Sequence, residues 1–248
     1  MQTVLSAENL TKRLQGEVPA TLIENASLAV QLGEFVAITG PSGSGKSSLL
    51  YLLGLLDKPT SGRLFVADVE TTRLADDSLA ALRLAEIGFV FQFHFLLPEF
   101  TVLENVMLPM LRLGRLSRPG MAQHAEGLLS DFGLSEHLHK LPKQLSGGQS
   151  QRAAIARALA NDPALVLADE PTGNLDTVAS QNVRTIVRDL AHERGRAVVI
   201  VTHDPNFAAS ADRVITVVDG RIRPSVGPTI ALELSASEAI AGQGSINP

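Results

Sequence analysis

"EFVAITGPSGSGKSSLLYLLGLL", residues 34–56, decides the fold. Its opening, "EFVAITG" (34–40), is an apolar run too short for a helix, and it reads as a strand buried on both faces of a parallel sheet. "KSSLLYLLGLL" (46–56) reads as a helix, and the glycine-rich loop between the two matches the pattern G-x-x-x-x-G-K-[ST] at Gly40–Ser47. Chance alone gives that pattern in roughly one chain of this length in a hundred, so its position between strand and helix is what carries weight. Backbone N–H groups and a helix N-terminus there face a phosphate chain. The candidate cradle is Gly40, Pro41, Ser42, Gly43, Ser44, Gly45, Lys46, Ser47 and Ser48. In such loops the lysine, here Lys46, reaches the β- and γ-phosphates, and the hydroxyl, here Ser47, ligates Mg2+.

Two further runs end in the same abrupt way, "ALVLADE" (164–170) and "AVVIVTHD" (197–204). Helical patterns at 149–160 and 178–193 separate these strands, which predicts an α/β fold with a mostly parallel sheet. Ligands of such sheets bind at the carboxyl ends of the strands, where Gly40, Asp169, Glu170, His203 and Asp204 stand. "VLSAENL" (4–10) and "ENASLAVQLG" (24–33) are expected as an antiparallel β edge. Residues from about 93 to 158 read as an inserted helical sub-domain, so that one domain covers 1–226. The tail from Gly227, rich in small residues, reads as flexible, the alternative being a short docking helix around 234–241.

A length of 248 residues suits one large domain or one domain with a sub-domain. The formal net charge is −5, and the 21 Lys and Arg are scattered rather than clustered, which weighs against a nucleic-acid partner. Without cysteine, disulfides and thiolate zinc sites are excluded. No apolar run has signal-peptide form or approaches the roughly 20 residues that cross a bilayer. The sequence reads as soluble, with any membrane link made through a partner.

A phosphate loop needs a carboxylate from a neighbouring strand for its metal shell, and Asp169 suits that role. Glu170 follows, placed to act as general base on an attacking water. Elsewhere two acids at a strand end are commonly solvated loop residues; beside a phosphate loop they read as catalytic. A lone histidine is more often structural, but the position of His203 at the sheet edge favours contact with the γ-phosphate or the water. Gln92, in "GFVFQF", stands where it could sense both Mg2+ and water.

A second glycine loop, "LSGGQ" (145–149), opens the helical pattern of 149–160 and makes a second anion cradle. Together "GPSGSGKS", Gln92, "LSGGQ", "ALVLADE", "GNLD" (173–176) and "VTHD" follow the order of the ATP-binding-cassette (ABC) family, which the sequence resembles over residues 1–226. The resemblance implies a P-loop NTPase that binds ATP and Mg2+, with Ser47, Gln92 and Asp169 around the metal and Glu170, His203 and Gln92 catalytic. It also implies a homodimer paired head to tail. Ser146, Gly147, Gly148 and Gln149 of one copy would cap the ATP held by the other's phosphate loop, with Asp176 at the interface. The family often places an aromatic residue against adenine shortly after the first strand. Here that position is Leu14, which implies a weaker, apolar contact.

The segment "FQFHFLLPEFTVLENVMLPML" (91–111), with "ADEPTGNLD", resembles the branch of lipoprotein-releasing systems and macrolide exporters. Membership implies an ATPase docked on integral membrane permease subunits at the cytoplasmic face of the inner membrane. The alternative is a soluble mechanical ATPase of the same superfamily. Those usually carry two cassettes or a long coiled-coil insertion, and neither is seen in this sequence. A plain P-loop kinase would have no reason to carry "LSGGQ".

Overall fold

The computed structural model describes residues 2–15 and 19–223. The tail from Gly227, the candidate helix at 234–241 and the domain limit at 226 lie outside the described residues. The first elements in chain order are β1 (Thr3–Leu14), β2 (Ala20–Gln31), β3 (Phe35–Thr39), α1 (Lys46–Leu53), β4 (Ser61–Val66) and β5 (Val69–Glu70). Next come α2 (Asp76–Glu86), β6 (Ile87–Phe91), α3 (Val102–Leu113), α4 (Arg118–Asp131) and α5 (Gly147–Leu159). The last are β7 (Leu165–Asp169), α6 (Thr177–His192), β8 (Ala197–Val201), α7 (Pro205–Ala208), β9 (Arg213–Val218) and β10 (Arg221–Arg223).

Six strands form one sheet in the order β10-β9-β3-β8-β7-β6, parallel throughout except for β10 at its edge. The N-terminal strands are antiparallel as expected, but they do not edge the parallel sheet: with β4 and β5 they pair into a sheet of their own, β2-β1-β4-β5. β3, β7 and β8 alternate strictly between two cores, as a period of two requires. Phe35, Ala37, Val166, Ala168, Val198 and Ile200 face the core built with α3 to α7. Val36, Ile38, Leu165, Leu167, Val199 and Val201 face the other, shared with α1 and the antiparallel sheet.

α1 lies in that second core with Leu49, Leu50, Leu52 and Leu53 fully buried, which is why its sequence is apolar on nearly every face. From Gln92 to Ala158 the chain is helical with two 3-10 turns and no strand, and α3, α4 and α5 pack together there. α3 begins with a capping box between Thr101 and Glu104. None of the described helices is long and apolar enough to cross a membrane.

β6 approaches α5 closely at Gly88, where a Cβ would lie 2.4 Å from the Ala158 carbonyl oxygen. Backbone cannot yield as a side chain does. Gly88→Ala should therefore lower stability by about 1–3 kcal/mol, the usual cost of overpacking, measured by urea unfolding.

Candidate nucleotide site

Strand register assembles the site. Ile38 pairs with Val201, Val201 with Asp169, and Asp169 with Phe91. Gly40, His203, Glu170 and Gln92 therefore leave four adjacent strands along one carboxyl edge. β8 lies between β3 and β7, so Asp169 comes from the strand beyond the immediate neighbour of β3. The link is made by α1, which packs on both β7 and β8.

The loop itself needs its glycines: Gly40, Gly43 and Gly45 have φ of 143°, 76° and 99°. Pro41, Ser42 and Gly43 are exposed at its crown, whereas Ser44 is buried. Lys46 folds back over the loop, its Nζ donating to the carbonyl oxygens of Gly40 (2.9 Å) and Pro41 (2.7 Å). Ser47 Oγ donates to Asp169 Oδ1 at 3.0 Å. Tyr51, one helical turn further along α1, donates to the other oxygen, Oδ2, at 2.9 Å. Burial first, and then the hydrogen bond to Asp169 and its negative charge, push the Tyr51 phenol up to about 12. The sequence reading passed over Tyr51. The available signal was its spacing of four from Ser47, which puts both hydroxyls on one face of α1.

Glu170 sits at φ 47°, a left-handed conformation that costs a non-glycine residue about 1 kcal/mol. A tight turn holds it there: its N–H donates to Val201 O and its carbonyl accepts from Gly173 N, both at 3.0 Å. The carboxylate lies 2.9 Å from His203 Nδ1. Glu170 is mostly buried and His203 mostly exposed. Gln92 Nε2 donates to Asn174 Oδ1 at 3.3 Å, beside the acidic pair rather than in contact with it. Asp204 caps α7 and pairs with Arg184, a structural role.

"LSGGQ" forms the start of α5. Ser146 is its N-cap, in a capping box: Ser146 Oγ accepts from Gln149 N (3.3 Å) and Gln149 Oε1 accepts from Ser146 N (2.8 Å). Gln149 Nε2 also lies 2.8 Å from His137 Nε2. Among the described residues no hydrogen bond joins Ser146–Gln149 to the phosphate loop. The first turn of α5 packs instead on Leu175 and Ala179 at the start of α6, which Asp176 caps through Ala179 N at 2.8 Å. Sequence reasoning also missed Gln151 and Arg157. Gln151 Nε2 donates to Phe91 O at 3.3 Å, and Arg157 donates to the carbonyls of Phe95 (2.7 Å) and His94 (2.8 Å). Burial lowers the pKa of Arg157 from the usual arginine range.

The 91–111 segment divides into two kinds of surface. Val102, Val106, Met107 and Met110 are core, while Phe93 and Phe95 are 63% and 62% exposed. Leu97, Phe100 and Leu111 are exposed as well. Beside them an open groove of about 880 Å³ runs between α2 with β6 and α3 with α5, lined by Leu84, Phe89, Phe91, Pro109, Leu113 and Arg157 among others.

A phosphate loop before α1, a carboxylate at the end of β7 and a Glu–His pair beside it define a P-loop ATPase with a second anion cradle. Residues 23–173 match the family model described as ABC transporter. The chain is 54% identical over 207 residues to the lipoprotein-releasing system ATP-binding protein LolD of Anaeromyxobacter dehalogenans, covering 84% of this chain and 87% of that protein. It is 46% identical over 222 residues to LolD of Aquifex aeolicus, covering 90% and 97%. The dimeric structure of MJ0796, a bacterial ABC transporter cassette, superimposes with a TM-score of 0.82 at 42% identity, over 89% of this chain and 97% of that one. MJ0796 has the same agreement in a dimeric post-hydrolysis state bound to ADP and Pi. This chain belongs to the ABC transporter family, as an ATP-binding and ATP-hydrolysing subunit.

Tyr51 is the sole tyrosine, so its ionisation can be followed by ultraviolet absorbance without interference. The phenolate should form well above the ordinary 10.0, towards 12, and Asp169→Asn should bring the midpoint back down because both the negative charge and the strong acceptor are removed.

Proposed function

We propose that this chain is the ATPase of a lipoprotein-releasing transporter, working as a head-to-tail pair of copies that drive membrane permease subunits from the cytoplasmic face of the inner membrane. The observation that carries the pairing is the presence of two phosphate cradles on one chain with no hydrogen bond between them among the described residues. Each is half of a site. The exposed Ser146 and Gly147 and the half-buried Gly148 and Gln149 of one copy would close on the γ-phosphate held by Gly40–Ser48 of the other, with Asp176 between the two sites. The lipoprotein-releasing system named for LolD supports the cargo, and membership of the ABC transporter family supports a membrane partner.

In the closed pair, Lys46 exchanges its loop carbonyls for phosphate oxygens, a stronger charge-assisted contact. Glu170 accepts a proton from water as that water attacks the γ-phosphorus, giving ADP and phosphate. His203 holds the Glu170 carboxylate and faces the same water. The Ser47 hydroxyl and the nearly buried Asp169 carboxylate, 3.0 Å apart, are hard oxygen donors that fit Mg2+, an ion that keeps most of its waters and takes phosphate oxygens besides. When bound, the ion neutralises charge on the transferred phosphoryl group. Gln92, just past the end of β6 and bonded to Asn174 in this state, would turn to this shell when nucleotide is bound. Leu14, exposed near the end of β1, offers adenine an aliphatic surface.

The groove beside α2 and the exposed Phe93, Phe95 and Leu97 would receive an apolar helix of the permease, as grooves receive amphipathic helices elsewhere. Because Arg157 and Gln151 clip the 91–95 segment to α5, a helix seated there would move with the second cradle.

Glu170→Gln should bind ATP normally, lose at least about a hundredfold in turnover, and accumulate as an ATP-bound dimer by size-exclusion chromatography. Lys46→Ala should lose nucleotide binding itself. Near-normal turnover by Glu170→Gln would remove Glu170 as the base.

Phe95→Asp and Leu97→Asp lie on the surface and should fold. ATPase activity of the isolated protein should persist while co-purification with its membrane subunits is lost. Retention of both would place the docking surface elsewhere.

A further inference from the structure

We infer that Tyr51 is a positioning residue for the metal shell: its hydroxyl holds Asp169 Oδ2 so that Oδ1 stays turned to Ser47. A carboxylate held at one oxygen can still rotate about its last torsion, which is broad and roughly two-fold. Asp169 is held at both, at 3.0 Å by Ser47 and 2.9 Å by Tyr51. Both donors come from one face of α1, the helix that begins at the phosphate loop. α1 is itself immobilised by four fully buried leucines. The carboxylate on β7 is thereby keyed to the same rigid body that carries Lys46. Groups behind a metal ligand act in this way, fixing the orientation of the ligand and its basicity. A tyrosine at this position for packing alone would need its ring, which also rests on the core, but not its hydroxyl.

The inference rests on the reading of Asp169 as the magnesium carboxylate, and the test separates the two. The chain has one tyrosine and no tryptophan, so its intrinsic emission reports on this phenol alone. Full-length wild type, Tyr51→Phe and Asp169→Asn are compared in binding a fluorescent ATP analogue, first in EDTA and then against rising Mg2+. Tyr51→Phe keeps the ring. It should bind the analogue in EDTA as wild type does, yet need about tenfold more Mg2+ for half-saturation, the low end for an outer-shell partner. Adding Mg2+ to the ADP-loaded wild type should change tyrosine emission, and the change should be absent in Asp169→Asn. If Asp169→Asn shifts the Mg2+ dependence and Tyr51→Phe does not, Tyr51 is a packing residue and the inference fails alone. Weakened binding by Tyr51→Phe already in EDTA also overturns it, because the hydroxyl would then be supporting the loop rather than the metal shell. An Asp169→Asn protein with unaltered Mg2+ dependence overturns the magnesium reading and the inference together.

Discussion

Helix α1 has almost no face to water. Leu49, Leu50, Leu52 and Leu53 are fully buried between the six-stranded sheet and the antiparallel one. Each such side chain stabilises the fold by about 1.5–3 kcal/mol, so the helix has one seat, and the phosphate loop at its N-terminus has one place to stand. Through Ser47 and Tyr51 the same seat fixes Asp169, and through the pairing of β7 with β8 it fixes Glu170 opposite His203. Asp169, Glu170 and the phosphate loop are in this way referred to one buried helix.

The second cradle is referred to a different helix. Its helix, α5, packs with α3 and α4 and with the start of α6, and it grips the chain leaving β6 through Gln151 and Arg157. A desolvated guanidinium is costly unless bonded, and the carbonyls of His94 and Phe95 offset that cost. The bonds tie the backbone beyond Gln92 to the helix that presents "LSGGQ". Helix α1 carries the phosphate loop, while α5 carries the second cradle and grips the segment that bears the exposed phenylalanines. Backbone strain is present beside His203 too: the turn after β7 holds Glu170 in a left-handed conformation, one of nine non-glycine residues at positive φ among the described residues.

What could be read in the sequence was local. The runs at 34–40, 164–170 and 197–204 are strands because an apolar stretch of that length, rich in Val and Ile and bounded by glycine or acid, has few other solutions. The loop and "LSGGQ" were legible because glycines and a capping serine are demanded by backbone geometry within a few residues. The short, mixed strands β4, β5, β6, β9 and β10 went unread, since their pairing depends on partners far along the chain.

The sequence by itself thus determined the α/β class, the phosphate loop, the acidic pair and the cassette family, all carried by contiguous patterns. Only the tertiary structure decided that β8 separates β3 from β7, that Tyr51 takes the second oxygen of Asp169, and that Arg157 grips the chain after Gln92. It also sorted one apolar segment into buried Val106 and Met110 and exposed Phe93 and Phe95. Those outcomes depend on which distant surfaces meet, and local patterning of a side chain says nothing about a partner 62 to 118 residues away.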